Sequence, residues 1–242
     1  KRIDLIYNNT FVIMKHYKNK TFLAVIPARG GSRRLFNKNL RKIENKTLIE
    51  HSILHGNNSK FISKVCVTSD SPKILKVAKK YKNVFLVKRP KYLSNSIIMP
   101  DDAVVHAYKK IKKKFDFIIT LQPTSPLRTS KQIDAAITKI VDSSADTLVS
   151  VCNSHDFYWE KGKRFYFPKN YKPENRPRSQ DFKQFRENGS IYISESSKML
   201  KLKNRIFGNI VIFEMDKWNS IDIDDQNDLK MANYLYKNFS RK

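Results

Sequence analysis

The sequence has few of the residues that build disulfides, zinc sites and flexible linkers. Its 242 residues include two cysteines, Cys66 and Cys152, and Cys66 lies inside an apolar run that is typical of a buried strand. A disulfide or a zinc site therefore has little support, and we expect a buried thiol at Cys66. The sequence shows no internal repeat and no low-complexity linker.

Long apolar runs are also missing. No run approaches the ~20 apolar residues that a membrane-spanning helix needs, and no segment has the pattern of a secretory signal peptide. We therefore expect a soluble, cytoplasmic protein. Hydrophobic residues make up 40% of the chain, which is enough for the core of one large domain. Residues 1–20 precede the first predicted strand, so we interpret them as an N-terminal extension and expect the part before Met14 to be dispensable.

Acidic residues are scarce relative to basic ones. The chain has 22 Asp and Glu against 48 Lys and Arg, which gives a formal net charge of +26. Such a charge is typical of nucleic-acid-binding proteins, but here the excess is mostly lysine that is spread along the whole chain. A non-enzymatic nucleic-acid binder stays open as a remote alternative. We expect small anionic ligands and no nucleic-acid or membrane partner.

Only six glycines occur, and two of them, Gly30 and Gly31, are adjacent in a loop after an apolar strand at residues 22–26. Glycine lets backbone N–H groups face a concavity, and basic residues follow at a spacing that lets them converge on one anion. These cations are Arg33, Arg34 and Lys38, after Arg29 in the turn itself. The pattern favours a triphosphate cradle, although the P-loop sequence G-x-x-x-x-G-K-[ST] is absent. An ordinary turn on a basic surface is the alternative.

Strand and helix patterns alternate over most of the chain. Strands are predicted at residues 22–26, 64–69, 84–87, 117–121, 146–151, 188–194 and 210–215, and helices at 43–55, 71–81, 103–113, 130–141, 196–203 and from 225 onward. Ser130 is the predicted N-cap of its helix. This alternation predicts an α/β domain with a mostly parallel, Rossmann-like sheet flanked by helices.

In an open α/β sheet, ligands bind beyond the carboxyl ends of the strands. The glycine loop, Asp70, Arg89 and Gln122 each follow a predicted strand. We therefore expect their side chains to line one rim of the sheet.

Two aspartates near the C-terminus, Asp222 and Asp224, are separated by one residue. In an extended segment, both carboxylates project to the same face. A pair of this kind predicts a Mg²⁺ site. The alternative is an acidic N-cap for the last helix, a role that Asp225 can also fill.

Residues 153–187 have no helical period and mix aromatic, basic and proline residues. A connection of this length is either functional or disordered, and so many aromatic residues argue against disorder. The segment is expected to pack on its own domain or to cover a partner subunit.

Four blocks of sequence carry a resemblance to a known family. The first is R-x-G-S-x-x-x-x-x-K-N, which runs from Arg29 to Asn39. The others are L-Q-P-T-S-P-L-R at residues 121–128, F-R-E-N-G-S-I-Y at residues 185–192 and S-I-D-I-D at residues 220–224. In their order and spacing, the four resemble the acylneuraminate cytidylyltransferases, the CMP-sialic acid synthetase family. The resemblance extends from residue 22 to the C-terminus.

The resemblance implies an enzyme that joins CTP to a nine-carbon α-keto sugar acid and releases the CMP-sugar and pyrophosphate. The implied fold is of the nucleotide-diphospho-sugar transferase type, with residues 21–152 and 190–242 in the α/β domain. Residues 153–189 would form an inserted dimerisation arm. In the implied homodimer, this arm reaches the neighbour's active site, so that the sites are completed in trans.

The resemblance also implies roles for individual residues. The nucleotide would be bound by Arg29, Gly30, Gly31, Ser32, Arg33, Lys38, Asn39 and, at its cytidine half, Arg89. The sugar acid would be bound by Gln122, Arg186, Asn188 and Gly189, with Arg186 paired to the sugar carboxylate. Asp222 and Asp224 would hold Mg²⁺, and they form the catalytic set together with Arg29 and Lys38.

The sequence departs from the family at three places. Phe36 stands where the family commonly has Pro, and residues 93–100 lack the pattern of Asp and small hydroxyl residues that is typical there. The segment at residues 155–161 also matches the sialic acid enzymes poorly. The sugar stays open among legionaminic, pseudaminic, sialic and related acids. A 3-deoxy-manno-octulosonate cytidylyltransferase, another sugar nucleotidyltransferase and a family member without activity are the remaining alternatives.

Overall fold

The computed structural model describes residues 15–32, 34–95 and 98–239. The strands are β1 His16–Tyr17, β2 Lys20–Pro27, β3 Lys42–Ile43, β4 Lys46–Thr47, β5 Ile62–Ser69, β6 Val84–Lys88, β7 Phe117–Leu121, β8 Thr147–Ser154, β9 Trp159–Lys161, β10 Tyr166–Pro168, β11 Gln184–Glu195 and β12 Ile210–Glu214. The helices are α1 Leu48–Asn57, α2 Pro72–Ala78, α3 Pro100–Lys110, α4 Ser130–Asp142, α5 Ser196–Leu202 and α6 Gln226–Phe239. Short 3₁₀ turns lie at Lys38–Leu40, Lys91–Ser94, Pro173–Asn175 and Lys217–Ser220.

The main sheet has the strand order β12-β8-β11-β7-β2-β5-β6, and β1 pairs with β2 beside this path. The pairs β12–β8, β7–β2, β2–β5 and β5–β6 are parallel, whereas β11 runs antiparallel to both of its neighbours. The mostly parallel α/β sheet predicted from the sequence is therefore confirmed. The parallel strands place their carboxyl ends at one edge of the sheet.

The central strands are apolar on both faces because helices cover both sides of the sheet. Residues 22–26 of β2 have no exposed surface. One core joins the sheet to α1, α2 and α4, and a second joins its other face to α3 and α5. Cys66 is buried in the second core as a free thiol, as predicted, and burial raises its pKa.

A third, smaller core attaches the C-terminal helix near the glycine loop. Leu35 and Leu48 pack with Leu229 and Leu235 of α6. This packing brings the segment before α6 close to the 3₁₀ turn that carries Lys38. Among the helices of the described ranges, none is both long and apolar enough to cross a membrane.

The predicted helix start at residue 43 and the predicted N-cap of α4 were wrong, and side-chain caps explain both. The helix predicted from residue 43 begins at Leu48, because Thr47 and Glu50 form a capping box and Glu44 adopts a left-handed φ of 50° in the β3–β4 turn. The N-cap of α4 is Thr129 and not Ser130, since the Thr129 side chain accepts a hydrogen bond from the Gln132 backbone N–H.

The predicted strand at residues 188–194 starts four residues earlier, at Gln184, because β8 also extends to Ser154 and pairs with it. Between these two long strands the chain forms the β9–β10 hairpin and a cluster of stacked side chains. Phe157 stacks on Phe182 with ring centroids 4.8 Å apart, and the Arg176 guanidinium lies 4.2 Å from the Phe157 ring. The segment expected to form the arm, residues 153–189, thus comprises this hairpin and cluster together with the adjoining ends of β8 and β11, and we call it the arm.

Gly56 on α1 supplies a test of how tightly the first core is packed. A Cβ at this position would lie 2.7 Å from Cγ2 of Val65 on β5. We predict that Gly56→Ala lowers the free energy of unfolding, because overpacking costs about 1–3 kcal/mol and the better helix propensity of alanine, ~1 kcal/mol, offsets only part of it. Urea unfolding measures the difference. Gly31→Ala is the control, since a Cβ there meets no atom within 4 Å; equal stability of Gly56→Ala and wild type would contradict the packing.

Candidate active site

A cavity of about 510 Å³ opens at the carboxyl edge of the sheet, beyond β2, β5, β6 and β7. Seven of the residues predicted to form the site line it: Arg29, Ser32, Lys38, Asn39, Arg89, Gln122 and Asp224. The expectation that side chains after different strands share one rim is confirmed for these residues. Gly30, Gly31, Arg186, Asn188, Gly189 and Asp222 are not among the lining residues, and Arg33 lies outside the described residues.

The glycine loop is held from beneath by Asp70. The Gly30 N–H donates to Asp70 Oδ1 at 2.9 Å, so this amide faces a protein carboxylate. A Cβ at Gly30 would lie 2.9 Å from Cβ of Ser71, which explains why glycine is required there. The buried amide of Asn39 donates to the Arg29 carbonyl oxygen at 2.9 Å. Asp70 and Asn39 thus fix the backbone from which Arg29 projects.

Two of the cations predicted to converge on one anion, Lys38 and Arg34, converge on Asp224. Lys38 Nζ donates to Asp224 Oδ1 at 3.1 Å and to the Ile223 carbonyl oxygen at 2.8 Å. Arg34 Nη2 lies 3.0 Å from Asp224 Oδ2. Arg34 lines the same cavity, yet the resemblance gave it no role. The signal that could have found it was its place in the basic run after the glycine pair.

Asp222 and Asp224 belong to an extended segment that is tied to its surroundings by the backbone. The Ile223 N–H donates to the Thr124 carbonyl oxygen at 2.8 Å. Partial desolvation raises the pKa of Asp222, and the negative charge of Asp224 adds to this, while a hydrogen bond with Thr124 and the charge of Lys38 oppose it. The two carboxylates therefore repel each other within one short segment.

The acidic N-cap of the last helix is Asp225. Its Oδ1 accepts hydrogen bonds from the backbone N–H groups of Asn227 and Asp228, at 2.7 and 3.0 Å. Asp222 and Asp224 are thus not needed as caps. In the part of the chain that the structure describes, no group of three or more His, Cys, Asp or Glu side chains could hold a metal ion, so any metal at the pair would need further oxygen ligands from water or substrate.

Arg89 is a buried cation at the edge of the cavity. Its side chain is 5% exposed, and Nη2 donates to the Thr68 carbonyl oxygen at 3.0 Å. Burial lowers the pKa of Arg89, with Arg29 acting in the same direction and Asp70 opposing it. Its Nε has no protein partner, which leaves one donor of the guanidinium unsatisfied.

The residues predicted for the sugar acid fall into two groups. Gly189 has a left-handed φ of 70°, and a Cβ there would lie 3.5 Å from Oε1 of Gln122, so these two are neighbours. Asn188 is 2% exposed. Its Oδ1 accepts from Ser150 Oγ at 2.6 Å and its Nδ2 donates to Ser220 Oγ at 2.9 Å. The Asn188 amide is thus used inside the protein and shapes the turn that carries Gly189.

Arg186 lies on β11, outside the cavity of its own chain. It is exposed, and Nη2 lies 3.5 Å from Cys152 Sγ on the neighbouring strand. Large aromatic side chains on the arm are exposed as well: Tyr158, Trp159, Phe165, Tyr166, Phe167 and Phe185. Arg186 and these aromatic side chains thus lie at the surface of the single chain.

Comparison with known proteins agrees with this architecture. The sequence profile of the family described as Cytidylyltransferase matches residues 23–238. An N-acylneuraminate cytidylyltransferase of Escherichia coli is 31% identical over 87% of this chain, which spans about half (51%) of that protein. A pseudaminic acid cytidylyltransferase of Campylobacter jejuni is 29% identical, with 89% of this chain and 96% of that protein covered.

A CMP-N,N'-diacetyllegionaminic acid synthase of Campylobacter jejuni is 30% identical, with 91% of this chain and 97% of that protein covered. Among solved structures, a CMP:2-keto-3-deoxy-manno-octonic acid synthetase complexed with CTP has a TM-score of 0.68 at 18% identity, over 89% of this chain and 98% of that chain. That likeness supports the fold. The resemblance found in the four sequence blocks is confirmed by the family match, and the chain belongs to the cytidylyltransferase family.

Proposed function

We propose that this protein transfers the cytidylyl group of CTP to a nonulosonic sugar acid, giving the CMP-sugar and pyrophosphate. The observation that carries the proposal is the carboxylate of Asp224, set between Lys38 and Arg34 on the wall of a cavity that Arg29 also lines. A nucleoside triphosphate brings both the negative charge that the three cations can bind and the metal ion that the carboxylate can hold. Relatives named for sialic, pseudaminic and legionaminic acids support this substrate class.

The triphosphate would lie along the glycine loop. Arg29, Lys38 and Ser32 line the cavity on that side, and we add Arg34 to this set. Cations held at fixed positions favour the growing charge on the leaving pyrophosphate over the ground state. Asp70 and Asn39 act through the loop, by holding Gly30 and the Arg29 carbonyl. Arg89, whose Nε has no protein partner, would bind the cytidine half.

Asp222 and Asp224 would hold Mg²⁺, and the residues fit that ion. Mg²⁺ is bound in such sites by one or two carboxylates together with phosphate oxygens and water. This pair would supply the carboxylates, and the triphosphate and water would supply the remaining ligands. When bound, the ion would make the α-phosphorus more electrophilic. Lys38 and Arg34 would then give up Asp224 and donate to phosphate oxygens.

In the reaction, the anomeric hydroxyl oxygen forms a bond to the α-phosphorus as the bond to the bridging oxygen of pyrophosphate breaks, and the hydroxyl proton is released. The protein contributes position and charge, since the attack is in line and needs no covalent intermediate. Gln122, against Gly189, would bind the sugar acid beside the cavity. We also propose that the enzyme acts in the cytoplasm, where CTP is available.

The experiment that tests this function is pyrophosphate release with each NTP crossed against sialic, legionaminic and pseudaminic acids and 3-deoxy-manno-octulosonate. We expect turnover with CTP and a nonulosonic acid. Preference for 3-deoxy-manno-octulosonate, whose synthetase shares the fold, would favour the second candidate function. Turnover that is equal with all four NTPs, or absent throughout while the protein shifts oligonucleotides in a gel, would reject the proposal.

For the nucleotide cradle, we predict that Arg29→Ala and Lys38→Ala each raise KM for CTP and lower kcat by about 10- to 100-fold. Each variant removes a cation that interacts more strongly with the departing pyrophosphate than with bound CTP. Steady-state kinetics against CTP measure both constants. Lys42→Ala, an exposed lysine on β3, is the control and should behave as wild type. Unchanged kcat and KM in both cradle variants would remove the cradle from the mechanism.

For the metal pair, we predict that Asp222→Asn and Asp224→Ala lower kcat by at least about 100-fold at saturating Mg²⁺ and leave the thermal midpoint close to wild type. The reason is that Asp224 lines the cavity, Asp222 lies two residues away, and α6 is capped by Asp225. Asp225→Asn is the matched control: it keeps a side chain that can cap α6 and should keep activity. Wild-type turnover in either metal-pair variant would overturn the assignment.

We further propose a homodimer in which the arm completes the partner's sugar site, because Arg186 lies outside its own cavity and the aromatic side chains around it are exposed. The prediction is that a mixture of Arg186→Ala and Asp224→Ala chains, each inactive alone, regains about a quarter of wild-type activity after subunit exchange. A mixed dimer holds one site with both defects and one with neither.

The control mixture for this experiment is Asp222→Ala with Asp224→Ala, which should stay inactive because every site keeps a defect. Native mass spectrometry confirms that exchange has occurred. Absence of activity after confirmed exchange, or a monomer in sedimentation at assay concentration, would show that the arm does not act in trans.

A further inference from the structure

Arg128 is a buried cation without an acidic partner. Its side chain is 1% exposed. Nη1 donates to the Gln122 carbonyl oxygen and to the Ser190 carbonyl oxygen, both at 2.9 Å, and Nη2 donates to Ser52 Oγ on α1. Within the described ranges no carboxylate pairs with it, and its Nε has no hydrogen-bond partner.

Burying such a group is costly. An ion removed from water loses several kcal/mol of solvation, and an opposite charge is the usual compensation. Burial lowers the pKa of Arg128 to about 9, so the guanidinium is still charged at neutral pH. The neighbouring His51 and His55 have pKa values lowered mainly by their own burial and further by the charge of Arg128, so they stay neutral beside it. The interior thus holds a cation whose charge no carboxylate of the described residues offsets. An apolar side chain at this position would not carry that desolvation cost.

The two carbonyl groups that Arg128 binds lie where the pairing between β7 and β11 ends. The β7–β11 ladder ends with the pair Leu121 and Ile191, and the next residue on each side is Gln122 or Ser190. On the other side of β11, the β8 ladder is interrupted between Glu187 and Tyr192. The guanidinium therefore takes the place of the missing ladder bonds and joins the end of β7 to the bulge in β11.

This junction carries the surface assigned to the sugar acid. Gly189 precedes Ser190, and its Cα faces the side-chain amide of Gln122, where a Cβ would come within 3.5 Å of Oε1. Holding both carbonyl oxygens on one rigid guanidinium fixes the distance between Gln122 and Gly189. Nη1 carries two N–H bonds in the rigid guanidinium plane, one for each carbonyl oxygen. Lysine, with an ammonium on a flexible stem, cannot reproduce that planar fork.

We propose that Arg128 is a positioning residue for the sugar-acid end of the site, acting through the Gln122 and Ser190 carbonyl groups. This inference rests on the proposed function, because it takes Gln122 and Gly189 as the sugar-acid side. It assigns Arg128 no contact with CTP. Loss of the fork should loosen the Gln122–Gly189 junction and leave the glycine loop unchanged.

The test compares Arg128→Lys and Arg128→Met with wild type by two measurements. The first is hydrogen exchange in peptides that cover residues 119–125 and 187–192, with residues 27–40 as the internal reference. The second is KM for CTP and for the sugar acid that turns over fastest in the panel of NTPs and sugar acids. Ser52→Ala is the matched control, since it removes the third contact of the same guanidinium on the side away from the junction.

We expect faster exchange in the two junction peptides of both Arg128 variants and no change in residues 27–40. KM for the sugar acid should rise about 10-fold, the loss expected when a charged hydrogen bond is removed, and KM for CTP should stay within about twofold. Ser52→Ala should change neither the exchange of the junction peptides nor KM for the sugar acid. If Arg128→Met does not fold, Arg128→Lys alone carries the test, because it keeps the charge and loses the fork.

Two results would overturn the inference. One is unchanged exchange at the junction. The other is faster exchange with KM for CTP and for the sugar acid either both raised equally or both unmoved, as a purely structural role would give. If wild type turns over none of the sugar acids, the proposed function fails, and the exchange measurement by itself still decides whether Arg128 holds the junction.

Discussion

The bond between Lys38 and Asp224 joins two parts of the chain that are 186 residues apart. It forms because the 3₁₀ turn at Lys38–Leu40 and the segment before α6 meet at the carboxyl edge of the sheet. The apolar contact of Leu35 and Leu48 with α6 holds them there. An ion pair near the surface contributes little stability by itself, so the apolar contact supplies the energy and the ion pair sets the geometry. Placement of the carboxylate at the cavity depends on this arrangement.

Because acidic residues are scarce in this chain, the position of the Asp224 carboxylate at the cavity is informative. In a chain of net charge +26, several aspartates have structural uses: Asp70 holds the Gly30 N–H, Asp101 pairs with buried Arg205, and Asp225 caps α6. Asp224 instead pairs with Lys38 and Arg34 on the cavity wall. These two cations outnumber the one carboxylate, and in the proposed function a metal–triphosphate complex would supply the negative charge that offsets the excess.

The sequence predicts the fold and seven of the residues that line the cavity, because both follow from local rules. Apolar runs predict buried strands. Residues that directly follow parallel strands lie together at the carboxyl edge of the sheet, which predicts Arg29, Arg89 and Gln122 on one wall of the cavity. Contacts between distant side chains carry no such local signal. The pairing of Arg34 with Asp224 and the inward amide of Asn188 depend on tertiary packing, and so they emerged only from the structure. Thr129 in place of Ser130 shows that adjacent hydroxyl residues leave a helix start uncertain by one position.

The long strand β11 is a rigid connection between the arm and the site, because it is paired with neighbouring strands. It pairs with β8 in the arm at Gln184 and with β7 beyond the bulge at Gly189. Arg186 is only three residues from Gly189, so the arm and the Gln122–Gly189 junction share one rigid element. Arg128 fixes that element to β7 from below. In the proposed homodimer, a partner subunit that engages the arm would therefore act through β11 on the end of the site proposed for the sugar acid. The distance between the arm and that end is set by the backbone of the strand.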